Sequence, residues 1–383
     1  MLWKLRDIGL GALLGAVGLG LLLWPGEVMD AGRQALALCG NVIAPSLFPF
    51  FVLSSLIVGL GLAEYPGRLL QNVMLPLFRL NGNCSAALVL GLIGGYPVGA
   101  RTAAELYEKG LCSRAEAERM LGFCNNSGPA FLLGVVGSGV FGSTRVGVLL
   151  LCIHILSALL VGLLFRFYPG HGAPQRGQKQ IPAKNQVHPA QVFTAAVTGS
   201  LGSLLNVSAF IRLFGVLLRL LENCGLLGFL AGLLTPLGLE PVWGERLLKG
   251  MLELSNGVAS LPADTPGISI PLAAFLLGWG GVSVLCQTMS VLQSSGLSIR
   301  TCIAGKLAHG LISAALAAAL RLFPGTIPAV ALLPGTLPTR RMPGFAGVLL
   351  GSIALAALLL ALLLYLKVEK GKNRGGNRRK GKL

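Results

Sequence analysis

Residues 92–101 read Leu-Ile-Gly-Gly-Tyr-Pro-Val-Gly-Ala-Arg, in the middle of one of the most apolar parts of the chain. Glycines at 94, 95 and 99 with a proline at 97 end a helix almost anywhere. In hydrocarbon such a break strands backbone N–H and C=O groups at a cost of several kcal/mol each. It is tolerated only where protein or a wet cavity surrounds it.

The surroundings are those of a membrane. Of 383 residues, 54% are hydrophobic and 12% charged, with mean hydropathy +0.75; a soluble domain carries about 25% charged residues. Several apolar segments have no polar face, which predicts an integral membrane protein. The segment from Ile8 to Trp24 follows Lys4 and Arg6, as a secretory signal would. No small-x-small cleavage site follows, and the segment is expected to remain as a first span.

The net charge of +17 suggests nucleic acid until its distribution is seen. Eight of the 31 basic residues lie between Lys367 and Lys382, directly after the last apolar run. Arg166, Arg176, Lys179 and Lys184 lie in or beside a polar stretch, Pro169 to Pro189, that contains no acid. Both patterns fit cytoplasmic segments near anionic lipid, with the tail cytoplasmic and the protein multi-pass in the cell membrane. The bilayer, and not nucleic acid, is the expected partner. The eight cysteines are spread singly, with no C-x-x-C and no histidine at zinc-ligand spacing, so no disulfide framework, metal or cofactor is expected.

Apolar runs of spanning length occur at 8–24, 46–62, 145–166, 193–215, 224–239, 299–323 and 345–366. Interrupted ones occur at 84–109, 114–142, 244–262 and 268–295. A helix over 30–44 is expected to open at Asp30 as its N-cap, and residues 66–81 look interfacial. The predicted organisation is a first span (1–30), a first half (31–168) with breaks at 94–99 and 125–129, and a basic polar loop (169–189). A second half (190–323) with breaks at 253–257 and 280–284 follows, then a Pro/Gly loop (324–344), a last span (345–366) and a basic tail (367–383). The fold class is an all-α polytopic integral membrane protein of about 8–10 membrane segments. Its two halves carry paired broken helices, discontinuous or re-entrant, and an inverted repeat is expected. The letters obscure the repeat, because Gly-Gly comes first in one half and second in the other.

Paired discontinuous helices mark midplane solute sites in secondary transporters, where half-helix ends present unpaired donors and acceptors. The residues expected to break the helices are Gly94, Gly95, Pro97, Gly99, Gly128, Pro129, Gly257, Gly280 and Gly281. Those expected to meet a solute are Tyr96, Asn125, Asn126, Ser127, Glu253, Ser255, Asn256, Ser283 and Gln287. Such a lining suits a small, polar, uncharged ligand. Glu253, flanked by Leu252 and Leu254, is a candidate for proton or cation coupling, unless it pairs with Lys249. Arg101 and Glu105 have the spacing of an intrahelical ion pair. Lys306, His309 and His154 are ionisable residues within spans, and a histidine there most often bonds a backbone carbonyl. Ser113 and Glu116 form a capping box for a polar helix that runs towards the break at Asn125. No catalytic constellation and no phosphate loop occurs, so an enzyme is not expected.

These motifs carry a resemblance. Pro-Ser-Leu-Phe-Pro-Phe at 45–50, Gly-Gly-Tyr-Pro-Val-Gly-Ala at 94–100, Glu-Arg-Met-Leu-Gly-Phe-Cys-Asn-Asn-Ser-Gly-Pro at 118–129 and Gly-Gly-Val-Ser-Val-x-x-Gln at 280–287 resemble the YlbJ family of sporulation integral membrane proteins of endospore-forming bacteria. The similarity runs in order over most of residues 10–320. It implies a nucleoside recognition, or Gate, domain, a name shared with parts of a ferrous iron permease and distantly with concentrative nucleoside transporters. The expected function is therefore a sporulation-associated, transporter-like protein that binds or moves a small polar solute, nucleoside-like in kind. The alternative is a non-transporting scaffold or assembly factor for sporulation proteins. The sequence leaves a coupling ion and assembly into a homo-oligomer open.

Overall fold

The computed structural model describes residues 2–62, 64–168 and 189–320. The basic loop, apart from Pro189, and the expected Pro/Gly loop, last span and basic tail lie outside them. Among the described residues every element is a helix, as the expected all-α class requires.

Helix α1 (Leu2–Leu23) meets α2 (Pro25–Leu38) at 95°. Proline at the first helical position has no N–H to leave unsatisfied, so α2 starts at Pro25 and not at Asp30. Asp30 lies inside it, 3.4 Å from Arg33. Next come α3 (Ala44–Gly59), α4 (Glu64–Phe78), α5 (Ser85–Gly94) and α6 (Val98–Glu108). The Ser113–Glu116 capping box opens α7 (Arg114–Met120) as predicted, and a π-wound segment, Phe131–Val140, leads to α8 (Thr144–Phe165).

In the second half α9 (Pro189–Asn223) outruns the span expected at 193–215. The run at 224–239 is not one continuous helix of spanning length. It forms the short α10 (Leu226–Gly232) and a 3-10 turn at Thr235–Leu237, and α11 (Pro241–Leu252) leaves that pair of turns at 118°. Then come α12 (Leu254–Ala259), α13 (Pro266–Trp279), α14 (Gly281–Leu292) and α15 (Arg300–Ala319). Among the described residues α8, α9, the α13–α14 pair and α15 are long and apolar enough to cross a membrane, and three bent pairs raise the total to as many as seven.

The halves share one order of elements. Helices α5 and α6 form a hairpin whose tip is Gly95–Pro97, and α11 and α12 form another whose tip is Glu253. Each hairpin precedes a broken crossing: α7 with the π-segment, interrupted at 121–128, and α13 with α14, interrupted at Gly280 and Gly281. An unbroken span follows each, α8 or α15. The hairpins approach from opposite ends of α9. Arg101 of α6 donates to Ser203, 2.7 Å away in the first half of that helix, and Lys249 of α11 pairs with Glu222 near its end at 2.8 Å. The two hairpins thus meet α9 towards its opposite ends. The exchanged letters arise because Gly-Gly marks the hairpin tip in one half and the break in the crossing in the other.

Close backbone contacts pack each hairpin. A Cβ on Gly99 would lie 3.1 Å from the Gly91 Cα across its own hairpin and 2.0 Å from the Cys124 carbonyl oxygen of the neighbouring crossing, and one on Gly257 2.0 Å from the Gly250 Cα. Gly257 is thus a packing residue inside α12 and not a break. Likewise Gly94 ends α5 and Gly99 lies within α6, while Gly95, at φ +80°, makes the turn. Pro129 opens the helical run after the gap. The core lies around α13, whose residues from Ile268 to Trp279 are all buried.

Candidate functional site

The four breaks converge. The left-handed turn at Gly280 and Gly281 (φ +84° and +85°) suits glycine, because a side chain there is strained. It leaves the Leu277 carbonyl to other donors. The Tyr96 hydroxyl donates to that carbonyl at 2.7 Å, and the Ser127 hydroxyl lies 3.4 Å from it. One backbone oxygen thus joins a hairpin tip and a broken crossing of the first half to the broken crossing of the second. The Trp279 indole N–H donates to the Met251 carbonyl at 3.1 Å, which ties that crossing to the second hairpin as well.

Glu253 at the second tip is extended and buried. Its carboxylate accepts from the backbone N–H groups of Ser255 (3.1 Å) and Asn256 (2.8 Å) and from the Asn256 side-chain amide (2.8 Å). It caps α12, satisfying donors that a helix start leaves free. It does not pair with Lys249, which binds Glu222. Ser255 and Asn256 stand in the first turn of α12, so the break at 253–257 is confined to Glu253.

Around these groups lies a cavity of about 60 Å³. Tyr96, Ser127, Glu253, Ser255 and Gln287 line it, with Gly95 and Gly128 at the two first-half breaks. Ile43, Leu47, Val207 and Ile211 supply apolar wall. The structure therefore brings together residues from three interruptions, with Val284 and Gln287 of α14 just after the fourth. Four expected site residues point elsewhere. Asn125 donates to the Thr288 hydroxyl at 2.9 Å, and Asn126 donates to the Phe123 carbonyl at 2.9 Å. Asn256 turns to Glu253, and the Ser283 hydroxyl accepts from Gln287 at 3.3 Å.

Behind the cavity stands a polar group to which sequence reasoning gave little weight. Lys306 is buried, donates to the Asn125 carbonyl, and holds its ammonium 4.5 Å from the Tyr96 ring centre. His154 Nε2 accepts from the Ser127 N–H at 3.1 Å, and His309 Nε2 lies 3.0 Å from the His154 carbonyl. The two imidazole rings lie 4.3 Å apart, tilted by 35°. The Nδ1 atoms of both histidines and the side-chain oxygens of Asn125 and Asn126 have no protein partner. The available signal was the pair Lys306 and His309, one helical turn apart in an apolar span.

At the start of the first crossing, α7 clasps the loop before α15. Arg114 donates to the Gly296 carbonyl at 2.7 Å, and Glu118 accepts from the Ser298 N–H at 3.0 Å. Arg101 and Glu105 form their expected pair at 2.9 Å.

A family model described as Gate, nucleoside recognition, matches residues 42–164, the stretch from α3 to the end of α8. The sporulation integral membrane protein YlbJ of Bacillus subtilis strain 168 is 34% identical over 314 residues, covering 76% of each chain. No solved structure matches.

Proposed function

This chain belongs to the family of the sporulation integral membrane protein YlbJ, and on that premise we propose that it acts in spore formation as a transporter-like protein. It binds, and passes across the membrane, a small polar solute of nucleoside-like hydrogen-bonding character. The observation that carries this reading is the single cavity touched by both hairpin tips and both broken crossings. A scaffold has no need to gather four interruptions of membrane helices around one space, since each interruption costs backbone hydrogen bonds.

The lining favours an uncharged ligand. Tyr96, Ser127, Ser255 and Gln287 offer hydroxyls and an amide, and the Glu253 carboxylate is engaged as a cap. The proposed chemistry is recognition and not bond breaking. At about 60 Å³ the cavity falls well short of the roughly 300–1,000 Å³ of pockets that enclose drug-sized ligands. The structure therefore corresponds to a closed state, and a nucleoside is admitted only when a hairpin withdraws.

Equilibrium binding of radiolabelled uridine, alongside a panel of other nucleosides and small polar solutes, to purified protein tests the reading. Ser127→Ala and Gln287→Ala are expected to weaken binding by about fivefold each, the worth of one hydrogen bond, at unchanged protein yield. Spore counts in an endospore-forming host carrying the same variants should fall in parallel. If no solute in the panel binds and both variants sporulate like the parent, the transporter reading is wrong.

A further inference from the structure

Two larger cavities flank the central one, and helix α9 touches all three in sequence. The first, about 440 Å³, lies between α6, α9 and α14, with Arg101, Glu105, Ser203, Asn206 and Ser290 in its wall. The second, about 290 Å³, lies between α2, α9 and the second hairpin, with Gln34, Arg219, Glu222, Lys249 and Asn256 in its wall. Along α9, Gly199 and Ser203 face the first, Val207 and Ile211 the centre, and Gly215 and Arg219 the second. These six residues are spaced by four, so they form one i, i+4 ridge of the helix. At 1.5 Å per residue the ridge is about 30 Å long, which matches the hydrocarbon core of a bilayer.

The opposite ridge of α9 behaves differently. Leu201, Leu205 and Leu213, each two residues removed from the cavity ridge, are exposed large hydrophobics, as a lipid-facing surface requires. Charged residues at such depths belong in protein interiors or wet cavities and not against lipid. Here most are paired: Arg101 with Glu105 at 2.9 Å, and Glu222 with Lys249 at 2.8 Å and Arg219 at 3.3 Å, while Glu108 in the first wall accepts from the Ser294 hydroxyl at 2.9 Å.

Beside the central wall on each side stands a hydrogen-bonded pair. On one side the Asn206 amide donates to the Ser290 hydroxyl at 3.1 Å, and Gln287, a turn back on α14, already lines the central space. On the other side the Asn256 amide donates to Glu253 at 2.8 Å, with Glu253 in the central wall and Asn256 in the outer one. Resting on the reading of the central cavity as a solute site, we infer that the i, i+4 ridge of α9 lines one solute path across the membrane. Its two water-filled vestibules open on opposite sides, and the pairs Asn206–Ser290 and Glu253–Asn256 are its gates. The path takes water and uncharged polar solutes.

Cysteine accessibility tests this without knowledge of the solute. Cys152 and Cys224 are exposed and Cys286 is partly exposed, so these are first changed to alanine in the full chain. Ser203→Cys, Ser260→Cys, Ser255→Cys and Leu205→Cys are then introduced singly. A membrane-impermeant sulfonated maleimide is applied to sealed vesicles of either orientation. Ser203→Cys should react from one side only, Ser260→Cys from the other only, and Leu205→Cys from neither. Ser255→Cys, behind both gates, should react slowly, and adding Asn206→Ala should speed its labelling about fivefold from the Ser203 side alone. The path is overturned if Ser203→Cys and Ser260→Cys react from the same side or fail to react, or if Leu205→Cys reacts as fast as Ser203→Cys. A gate that leaves Ser255→Cys labelling unchanged when Asn206 is removed overturns it as well. Gly202→Cys replaces Ser203→Cys if that variant does not accumulate. Labelling as expected without uridine binding would sink the solute class proposed above and leave the path standing; the converse would sink the path alone.

Discussion

Tyr96 does with one hydroxyl what its position in a broken helix demands. Its O–H meets the Leu277 carbonyl at 2.7 Å, and Tyr96→Phe leaves that oxygen only the Ser127 hydroxyl at 3.4 Å. A net loss of about 1 kcal/mol follows, read as a lowered melting temperature in detergent with the fold retained. Gly99→Ala is of another order. Its Cβ would sit 2.0 Å from a backbone oxygen that cannot step aside, so the variant is expected to yield no monodisperse protein on fluorescence-detected size exclusion. Gly11→Ala in α1, where nothing lies within 4 Å, should elute like the parent. At this scale the sequence identified Tyr96, Ser127, Glu253 and Gln287 as polar residues beside breaks, and all four face the cavity. It could not show that Asn125 and Asn126 turn away. The direction of a side chain in a gap follows from how the backbone leaves the helix, and their partners include Thr288, 163 residues from Asn125.

Among the elements, local rules were legible and lengths were not. The Ser113–Glu116 box was readable because both its bonds close within three residues. The run at 224–239 has the length and apolarity of a span, yet Gly225 and Gly238, both left-handed, bracket α10 and its 3-10 turn. Gly257 was misplaced for a related reason: a glycine needed for contact looks in sequence like a glycine needed for a turn. The cap at α12 gives a sharp test. Glu253→Ala removes the acceptor for two backbone N–H groups, a loss of about 0.5–2 kcal/mol, whereas Glu253→Gln keeps one carboxamide oxygen in place. Alanine should therefore lower the thermal midpoint more than glutamine does, and amide exchange in Leu254–Ala259 should accelerate only in the alanine variant. Equal shifts in both would mean that the charge, and not the cap, holds the tip.

For the whole molecule, the hydropathy profile was enough to predict an all-helical membrane protein with interrupted segments in both halves. The shared order of elements in the two halves was harder to see, because the halves use Gly-Gly for different elements. The fold also predicts where the molecule opens last. Within the span Pro266–Leu292 every residue from Ile268 to Trp279 is buried and α13 packs along α15, so its amides should be among the slowest to exchange by mass spectrometry, with α10 among the fastest. Rapid exchange in α13 would contradict a core built around it.

The glycine contacts that pack the hairpins and join the crossings carry a genetic consequence. Every residue reachable from a glycine codon by one base change bears a Cβ. At Gly99 and Gly257 the new atom meets backbone at 2.0 Å, and at Gly305 it meets the Gly122 carbonyl oxygen at the same distance. None of these three lines the central cavity. A random screen for lost function would therefore accumulate hits at places outside the cavity. The residues that line it, such as Ser255 and Gln287, would return milder alleles and surface only in a screen graded for affinity.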